Sequence, residues 1–244
     1  MTIIAEPMHA RPRSPEHLAG LFAGGWPEFI FHDQQTKRHI GRIRDLFGDL
    51  ELVLLDDGVP VAAGWAVPLC WNGETDDLPA GYNDSLARAL ADHDAGRTPD
   101  THAVLAAQVH PGRQGEGLAA RLLTALCDDA ASRGRGRVIC PVRPTHKSRY
   151  PLTPIERYQH WTRPDGLPFD PWLRTHVRMG ARILAAAPRS QVITGTVAQW
   201  QTWTGLTFPD SGDYVIPDGL SPLHIDHRTD TGTYAEPNTW LRHR

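Results

Sequence analysis

One stretch decides the fold: Gln108-Val109-His110-Pro111-Gly112-Arg113-Gln114-Gly115-Glu116-Gly117-Leu118-Ala119. An apolar run precedes it, and Leu118, Leu122 and Leu126 recur behind it at the spacing of one helix face. Its glycines carry no side chain, so the backbone N–H groups that open the helix stay accessible. Unpaired N–H groups and the positive end of the helix dipole favour an anion such as a phosphate. The stretch therefore predicts a strand, an anion-binding loop and a helix in succession.

Three known phosphate-binding loops can be compared with this stretch. A P-loop needs Gly-Lys followed by Ser or Thr, whereas Gly117 is followed by Leu118. The dinucleotide pattern G-x-G-x-x-G is met except at its last position, where Ala120 stands. The pattern Gln/Arg-x-x-Gly-x-Gly/Ala is matched at every specified position by Gln114-Gly115-Glu116-Gly117-Leu118-Ala119. A glycine-rich turn without a ligand is the plain structural alternative.

With Val109-His110-Pro111 before it and Arg121-Leu122-Leu123 after it, the motif resembles the acyl-CoA loop of the GNAT superfamily of acyl-CoA-dependent N-acyltransferases. In that family the loop amides hold the CoA pyrophosphate, and the preceding strand pairs with the pantetheine arm. The resemblance covers about residues 51–179 and is strongest at 109–119. It implies acetyl-CoA or another acyl-CoA as co-substrate, bound by Val109, Gln114, Gly115, Glu116, Gly117, Leu118 and Ala119.

The composition limits the compartment and the partners. At 244 residues the chain can form one large domain or a domain with an appendage, and its net charge of −3 predicts no nucleic-acid or membrane partner. Cys70, Cys127 and Cys140 show neither a close pair nor metal-ligand spacing, which favours a reducing compartment. We find no pattern of a secretory signal or membrane span and predict a cytoplasmic protein, monomer or homodimer.

The chain before the loop shows the pattern of two helices followed by two strands. Ser14-Pro15 is typical of a helix start, and a second helix is expected at 32–47. Strands at 51–55 and 60–68 flank the turn Asp56-Asp57-Gly58. A GNAT domain opens with the same order of elements.

Two insertions depart from a minimal domain of this kind. The first, 72–100, contains a short predicted helix and is expected to shape the acceptor pocket through Tyr82 and the adjoining Trp71. The second, 143–169, follows a predicted strand at 137–142 and is basic and rich in proline. The basic side chains clustered in this insertion favour an acceptor that carries a carboxylate or phosphate. The residues expected to bind it are Arg143, Lys147, Arg149 and Tyr150.

Acyl transfer to an amine needs a polarised carbonyl, a neutral amine and a proton for the departing thiolate. The family often places a glutamate on the strand before the loop, but Leu105-Ala106-Ala107-Gln108 offers no carboxylate. If Gly180 is aligned with the family's glycine, His176 replaces the tyrosine that acts as the acid. Histidine titrates near neutral pH, so we predict His176 as the proton donor and Tyr158 as its competitor. A packed, hydrogen-bonded histidine fits the pattern equally well, and Glu156 or Glu236 could serve as base.

These patterns predict an α/β fold: a GNAT-like mixed twisted sheet with helices on both faces, formed by residues 1–195. Residues 196–244, rich in Gly, Pro, Asp and Thr, are expected to be an irregular C-terminal extension on the same domain. The predicted function is transfer of an acyl group, most simply acetyl, from acyl-CoA to the amine of a small anionic acceptor. Direct attack in a ternary complex is expected because no Cys or Ser nucleophile is apparent, and no metal site is predicted.

Two other functions also fit the sequence. The missing carboxylate and the replaced tyrosine are compatible with a GNAT-like acyl-CoA-binding protein of altered chemistry, acting as a decarboxylase, thioesterase or sensor. The near match to the dinucleotide pattern is compatible with a nucleotide-binding oxidoreductase, although no acidic residue follows at the expected distance.

Overall fold

The structure, a computed structural model, describes residues 3–10 and 25–243. The helix start predicted at Ser14-Pro15 lies outside these residues. The described helices are α1 (Gln34–Phe47), α2 (Tyr82–Asp94), α3 (Leu118–Ser132), α4 (Ile155–Tyr158), α5 (Pro171–Arg178) and α6 (Val197–Thr204). The strands are β1 (Ile3–Pro7), β2 (Glu51–Asp56), β3 (Val59–Leu69), β4 (Thr101–Val109), β5 (Arg137–Val142), β6 (Arg182–Gly195), β7 (Gly212–Tyr214), β8 (Leu223–Asp226) and β9 (Thr231–Arg242).

The described strands form one mixed sheet. Strands β1 to β5 follow one another in order, antiparallel except for the parallel pair β4–β5. The long strand β9 then pairs with β5 on one edge and with β6 on the other. The first half of β9 also pairs with β8, and β8 pairs with β7. None of the described helices is both apolar enough and long enough to cross a bilayer.

Helices cover both faces of this sheet, as predicted. Val138 and Cys140 of β5 pack into the cluster under α3 and α5, whereas Ile139 between them packs into the cluster under α1 and α2. Because successive side chains of a strand point to opposite faces, these two clusters lie on opposite sides of the sheet. The leucines of α3 are buried, as their spacing predicted.

The prediction needs correction at residues 196–244, which are more regular than expected. Strand β9 lies inside the sheet, paired along both edges. Helix α6 begins with a capping box formed by Thr196 and Gln199. The strand escaped recognition because a central strand normally shows a continuous apolar run, whereas buried polar residues such as Glu236 and Asn238 interrupt this one.

Strands β4 and β5 separate shortly after they meet. They pair only at Thr101–Arg137, His102–Val138 and Ala103–Ile139. Beyond these pairs β5 stays beside β9 and β4 stays beside β3, where an irregularity leaves Leu105 outside the register. The divergence forms a notch, and the second half of β4 turns its free backbone edge toward it.

Candidate active site

The glycine-rich loop follows β4 at the open end of the notch. His110 Nδ1 accepts the N–H of Gly112 at 3.1 Å and shapes the turn after the strand. Gly115 and Gly117 have φ values of +85° and +76°, a left-handed conformation that favours glycine. Gly117 directly precedes α3, and no side chain caps that helix. The first N–H groups of α3 are therefore available to an external anion.

The charged side chains of the loop are paired with each other. Arg113 Nε lies 2.7 Å from Oε1 of Glu116, and Arg113 Nη2 lies 3.0 Å from Oδ2 of Asp56. The Arg113 guanidinium holds the pKa of Glu116 below its usual value. Because two carboxylates occupy Arg113, the positive potential of the loop comes from its backbone N–H groups.

The end of β4 is covered by the segment that precedes α1. The indole N–H of Trp26 donates to Oε1 of Gln108 at 2.7 Å. Gly25 packs so closely that a Cβ there would lie 1.9 Å from Nε2 of Gln108. The segment 25–26 thus closes one side of the notch strand, a contact for which the sequence offered no signal.

A group of buried charges lies beyond the end of β5, and we call Arg143, Lys147, Tyr234 and Glu236 the buried ion cluster. Arg143 Nε donates to Oε1 of Glu236 at 2.5 Å, and the Tyr234 hydroxyl donates to Oε2. Glu236 is fully buried, and its desolvation raises the pKa of its carboxyl group. Arg143 Nη2 also donates to the carbonyl oxygen of Asp218 at 2.6 Å.

Lys147 is the second cation of this cluster. Its Nζ donates to the carbonyl oxygens of Tyr150 and Leu220 at 2.8 and 2.6 Å. The side chain is 1% exposed, and burial lowers the pKa of its ammonium group to about 8. Two cations therefore face one carboxylate, Glu236, where little water is present to screen them.

Comparison with known proteins identifies the family. A scan against protein-family models finds no match. The arginine N-acetyltransferase avaD of Aspergillus versicolor is 30% identical over 258 residues, which cover 94% of this chain and 87% of that protein. The chain belongs to the GNAT superfamily. It is an acyl-CoA-dependent N-acyltransferase, and acyl-CoA is its co-substrate.

Two solved structures share this GNAT fold over the whole chain. The loading GNATL domain of CurA from Lyngbya majuscula is 17% identical with a TM-score of 0.57, covering 99% of this chain and 97% of that domain. The GphF GNAT-like decarboxylase, solved with isobutyryl-CoA, is 19% identical with a TM-score of 0.58, covering 100% and 98%. At these identities the likeness confirms the fold.

The environment of His176 does not suit the proton donor predicted for this GNAT enzyme. His176 is 1% exposed, and its Nδ1 lies 2.8 Å from Nε2 of His243. Burial, assisted by His243, lowers the pKa of His176 to about 3. The ring is therefore neutral at physiological pH, so the titration near pH 7 on which the prediction rested does not occur.

Tyr158 is also engaged within the protein. Its buried hydroxyl donates to Oδ2 of Asp170 at 2.9 Å, and burial together with that carboxylate raises the pKa of Tyr158. Asp170 caps α5 and also accepts the N–H of His146 at 2.8 Å. Tyr158 thus fastens α4 to the start of α5, and a proton held toward Asp170 is poorly placed for transfer to a thiolate.

The predicted acceptor residues divide into two groups. The structure brings Arg143 and Lys147 together, whereas Arg149 and Tyr150 are exposed, and Lys147 donates to the carbonyl oxygen of Tyr150. Trp71 follows β3 at the end that pairs with Thr101, which lies about 26 Å along β4 from Val109 at the glycine loop, at ~3.3 Å per residue. Its indole N–H donates to Glu74 O at 2.7 Å, and the side chain is buried in the core.

Tyr82 lies closer to the notch than Trp71 does, but on the face covered by α1 and α2. Its ring packs edge-on against Trp65 at 6.1 Å, and Trp65 pairs with Ala106 of the notch strand. Tyr82 is the first residue of α2, and its backbone N–H donates to Oγ of Ser190 at 2.8 Å. Tyr82 therefore supports the wall behind β4.

Proposed function

We propose that this enzyme transfers an acetyl group from acetyl-CoA to the amine of a small amino acid, with arginine as the first candidate. The observation that carries the proposal is the buried ion cluster, where Arg143 and Lys147 outnumber the carboxylate of Glu236 at the end of β5. Guanidinium and ammonium groups bind a carboxylate strongly where water is excluded. An amino acid carries such a carboxylate, and the relative avaD is by name an arginine N-acetyltransferase.

We assign the glycine loop to acetyl-CoA. The N–H groups of residues 114–119 and the open N-terminus of α3 suit the two negative charges of a pyrophosphate. Val109 and the free edge of β4 then suit the amide groups of the pantetheine arm. We assign backbone N–H groups of β4 to polarise the thioester carbonyl, which is the main electrostatic requirement of acyl transfer.

The proposed reaction is a direct transfer. The neutral amine attacks the thioester carbon, the C–S bond breaks, and the amine loses one proton while the CoA thiolate gains one. We assign Glu236 to receive the proton of the acceptor ammonium, because its raised pKa makes it a stronger base than an ordinary carboxylate. The thiolate takes its proton from the amine or from water, so no protein acid is required.

The test measures release of free CoA thiol from acetyl-CoA with arginine, agmatine or no amine. Agmatine is arginine without its carboxylate, so we expect its kcat/KM to be at least ~10-fold lower, as for the loss of one charged hydrogen bond. Equal kcat/KM values for the two amines would contradict the proposed binding of the acceptor carboxylate. Release of CoA at the same rate without any amine would replace transfer by hydrolysis of the thioester.

We also propose that the enzyme works in the cytoplasm on this small-molecule acceptor. Its cysteines carry no disulfide, which fits the reducing compartment that the sequence favoured.

A further inference from the structure

A second cluster of reactive side chains lies away from the buried ion cluster. Cys140 lies within β5, His176 lies in the last turn of α5, and His243 directly follows β9. One ligand atom of each residue lies within 4.8 Å of the other two. Cys140 and His176 are buried, and His243 is partly exposed. No sequence pattern indicates this group, because its members are separated by 36 and 67 positions.

The backbone holds the three residues firmly in place. Cys140 pairs with Leu241 in the β5–β9 ladder. The N–H of His243 donates to Val138 O at 2.9 Å and continues that ladder beyond β9. The carbonyl oxygen of His176 accepts the N–H of Ala181 at 3.0 Å, where α5 ends. The side chains therefore converge from three fixed elements, as a preorganised site requires.

Hydrogen bonding alone does not account for the histidine pair. Nδ1 of His176 lies 2.8 Å from Nε2 of His243, so the two rings share one proton. Nε2 of His176 is buried and has no hydrogen-bond partner among the described residues. Apolar side chains, including Leu173 and Val142, form the surrounding cluster. A neutral imidazole has one N–H and one lone pair, so a proton on Nε2 of His176 leaves the lone pair of Nδ1 facing His243, in the group that also contains Cys140.

We propose that Cys140, His176 and His243 bind one Zn²⁺ ion. Thiolate and imidazole are the ligands that Zn²⁺ prefers. Zn–N and Zn–S bonds of about 2.0–2.3 Å in a tetrahedron separate the ligand atoms by roughly 3.3–3.7 Å. Ligand atoms within 4.8 Å reach that geometry by small side-chain rotations, with the two facing nitrogens moving apart from 2.8 Å. The fourth position is open to water.

The proton balance of binding is simple. Cys140 loses its thiol proton to solvent and becomes a thiolate ligand. The proton shared by the two imidazoles moves to the outer nitrogen of the ring that carried it, so both facing lone pairs bind the ion. The bound ion joins α5 to the β5–β9 pair, and removal of the ion therefore loosens α5 against the sheet.

The test uses the full chain without a histidine tag, stripped by a chelator and then reloaded with Zn²⁺ or Co²⁺. We expect one zinc per chain by elemental mass spectrometry. We also expect Co²⁺ to give the near-ultraviolet thiolate charge-transfer band and the visible bands of a tetrahedral site. Absence of stoichiometric zinc in the reloaded protein overturns the proposal.

Variants separate this site from zinc bound elsewhere. Cys140→Ser is expected to abolish the charge-transfer band, and His243→Ala to weaken zinc binding at least 10-fold, the usual effect of losing a ligand or its orienting partner. Cys127→Ser, at another buried cysteine, is the matched control and should keep both signals. If Cys140→Ser does not fold, His243→Ala still decides, because His243 is partly exposed. Unchanged zinc affinity in His243→Ala would contradict the proposed zinc site.

Discussion

Nε of Arg143 lies 2.5 Å from Oε1 of Glu236, and this contact spans a gap in the sheet. Along one edge of β9, residues 231–234 pair with β8 and residues 239–242 pair with β5. Glu236 lies between these two ladders, and Arg143 is the first residue after β5. The gap thus lies one strand away from the notch between β4 and β5.

Removing the Arg143 side chain should weaken acceptor binding selectively. For Arg143→Ala we expect the KM for arginine to rise about 10- to 100-fold, the effect of losing one charged hydrogen bond, with the KM for acetyl-CoA unchanged. Arg163→Ala is the control, because Arg163 forms only an exposed pair with Asp165 at 3.4 Å. Steady-state kinetics with each substrate varied in turn makes the measurement. Equal increases in both KM values would contradict the acceptor role.

Glu236 should also be required for stability. Glu236→Gln keeps the shape of the side chain but leaves Arg143 and Lys147 without their carboxylate, so we expect the free energy of unfolding to fall by about 3 kcal/mol. Asp213→Asn is the control: it breaks an ion pair with His224 whose side chains are 62–70% exposed, and it should change stability little. Urea unfolding monitors both variants. A loss for Glu236→Gln no larger than that for the control would show that the pair is energetically unimportant.

Alanine substitutions at two glycines, one at each end of α3, should distinguish backbone strain from a loss of acetyl-CoA binding. Gly117 and Gly134 have φ values of +76° and +72°, and neither would bring a Cβ within 4 Å of another group. Replacing either by alanine should cost about 1–2 kcal/mol in stability through the left-handed backbone. Gly117→Ala alone should raise the KM for acetyl-CoA, because Gly117 belongs to the anion-binding loop. If Gly134→Ala raises that KM equally, the loop is not the acetyl-CoA site.

His102 should make the protein sensitive to acid. It is fully buried, and burial together with Arg135 lowers its pKa from 6.5 to about 4. Between pH 6.5 and 4 the unfolded chain binds a proton at His102 that the folded protein does not bind. The free energy of unfolding therefore falls as the pH falls through this range, by up to about 3 kcal/mol.

The variant His102→Gln should lack this part of the acid sensitivity. Chemical unfolding at several pH values gives the slope for each protein. His224→Gln, at a side chain 62% exposed, is the control and should keep the wild-type slope. Parallel slopes for wild type and His102→Gln would disprove the assignment.

Short-range features of the sequence predicted much of this fold. The strand 137–142 and the buried leucines of α3 both depend on neighbouring residues, and both are found in the structure. His176 was harder to interpret. Its position before Gly180 predicted a proton donor. Burial and the neighbouring His243 instead lower the pKa of His176 to about 3. The position of His243 depends in turn on strand β9.

The sequence by itself determined the strand, glycine loop and helix of residues 104–132, and with them the acyl-CoA site of the family. These elements follow from spacing and from backbone conformations that glycine alone adopts readily. Only the tertiary structure decided which side chains meet in the buried ion cluster. Arg143, Lys147 and Glu236 come together because β9 returns to the middle of the sheet, and the pairing of strands distant in the chain leaves no local pattern in either partner.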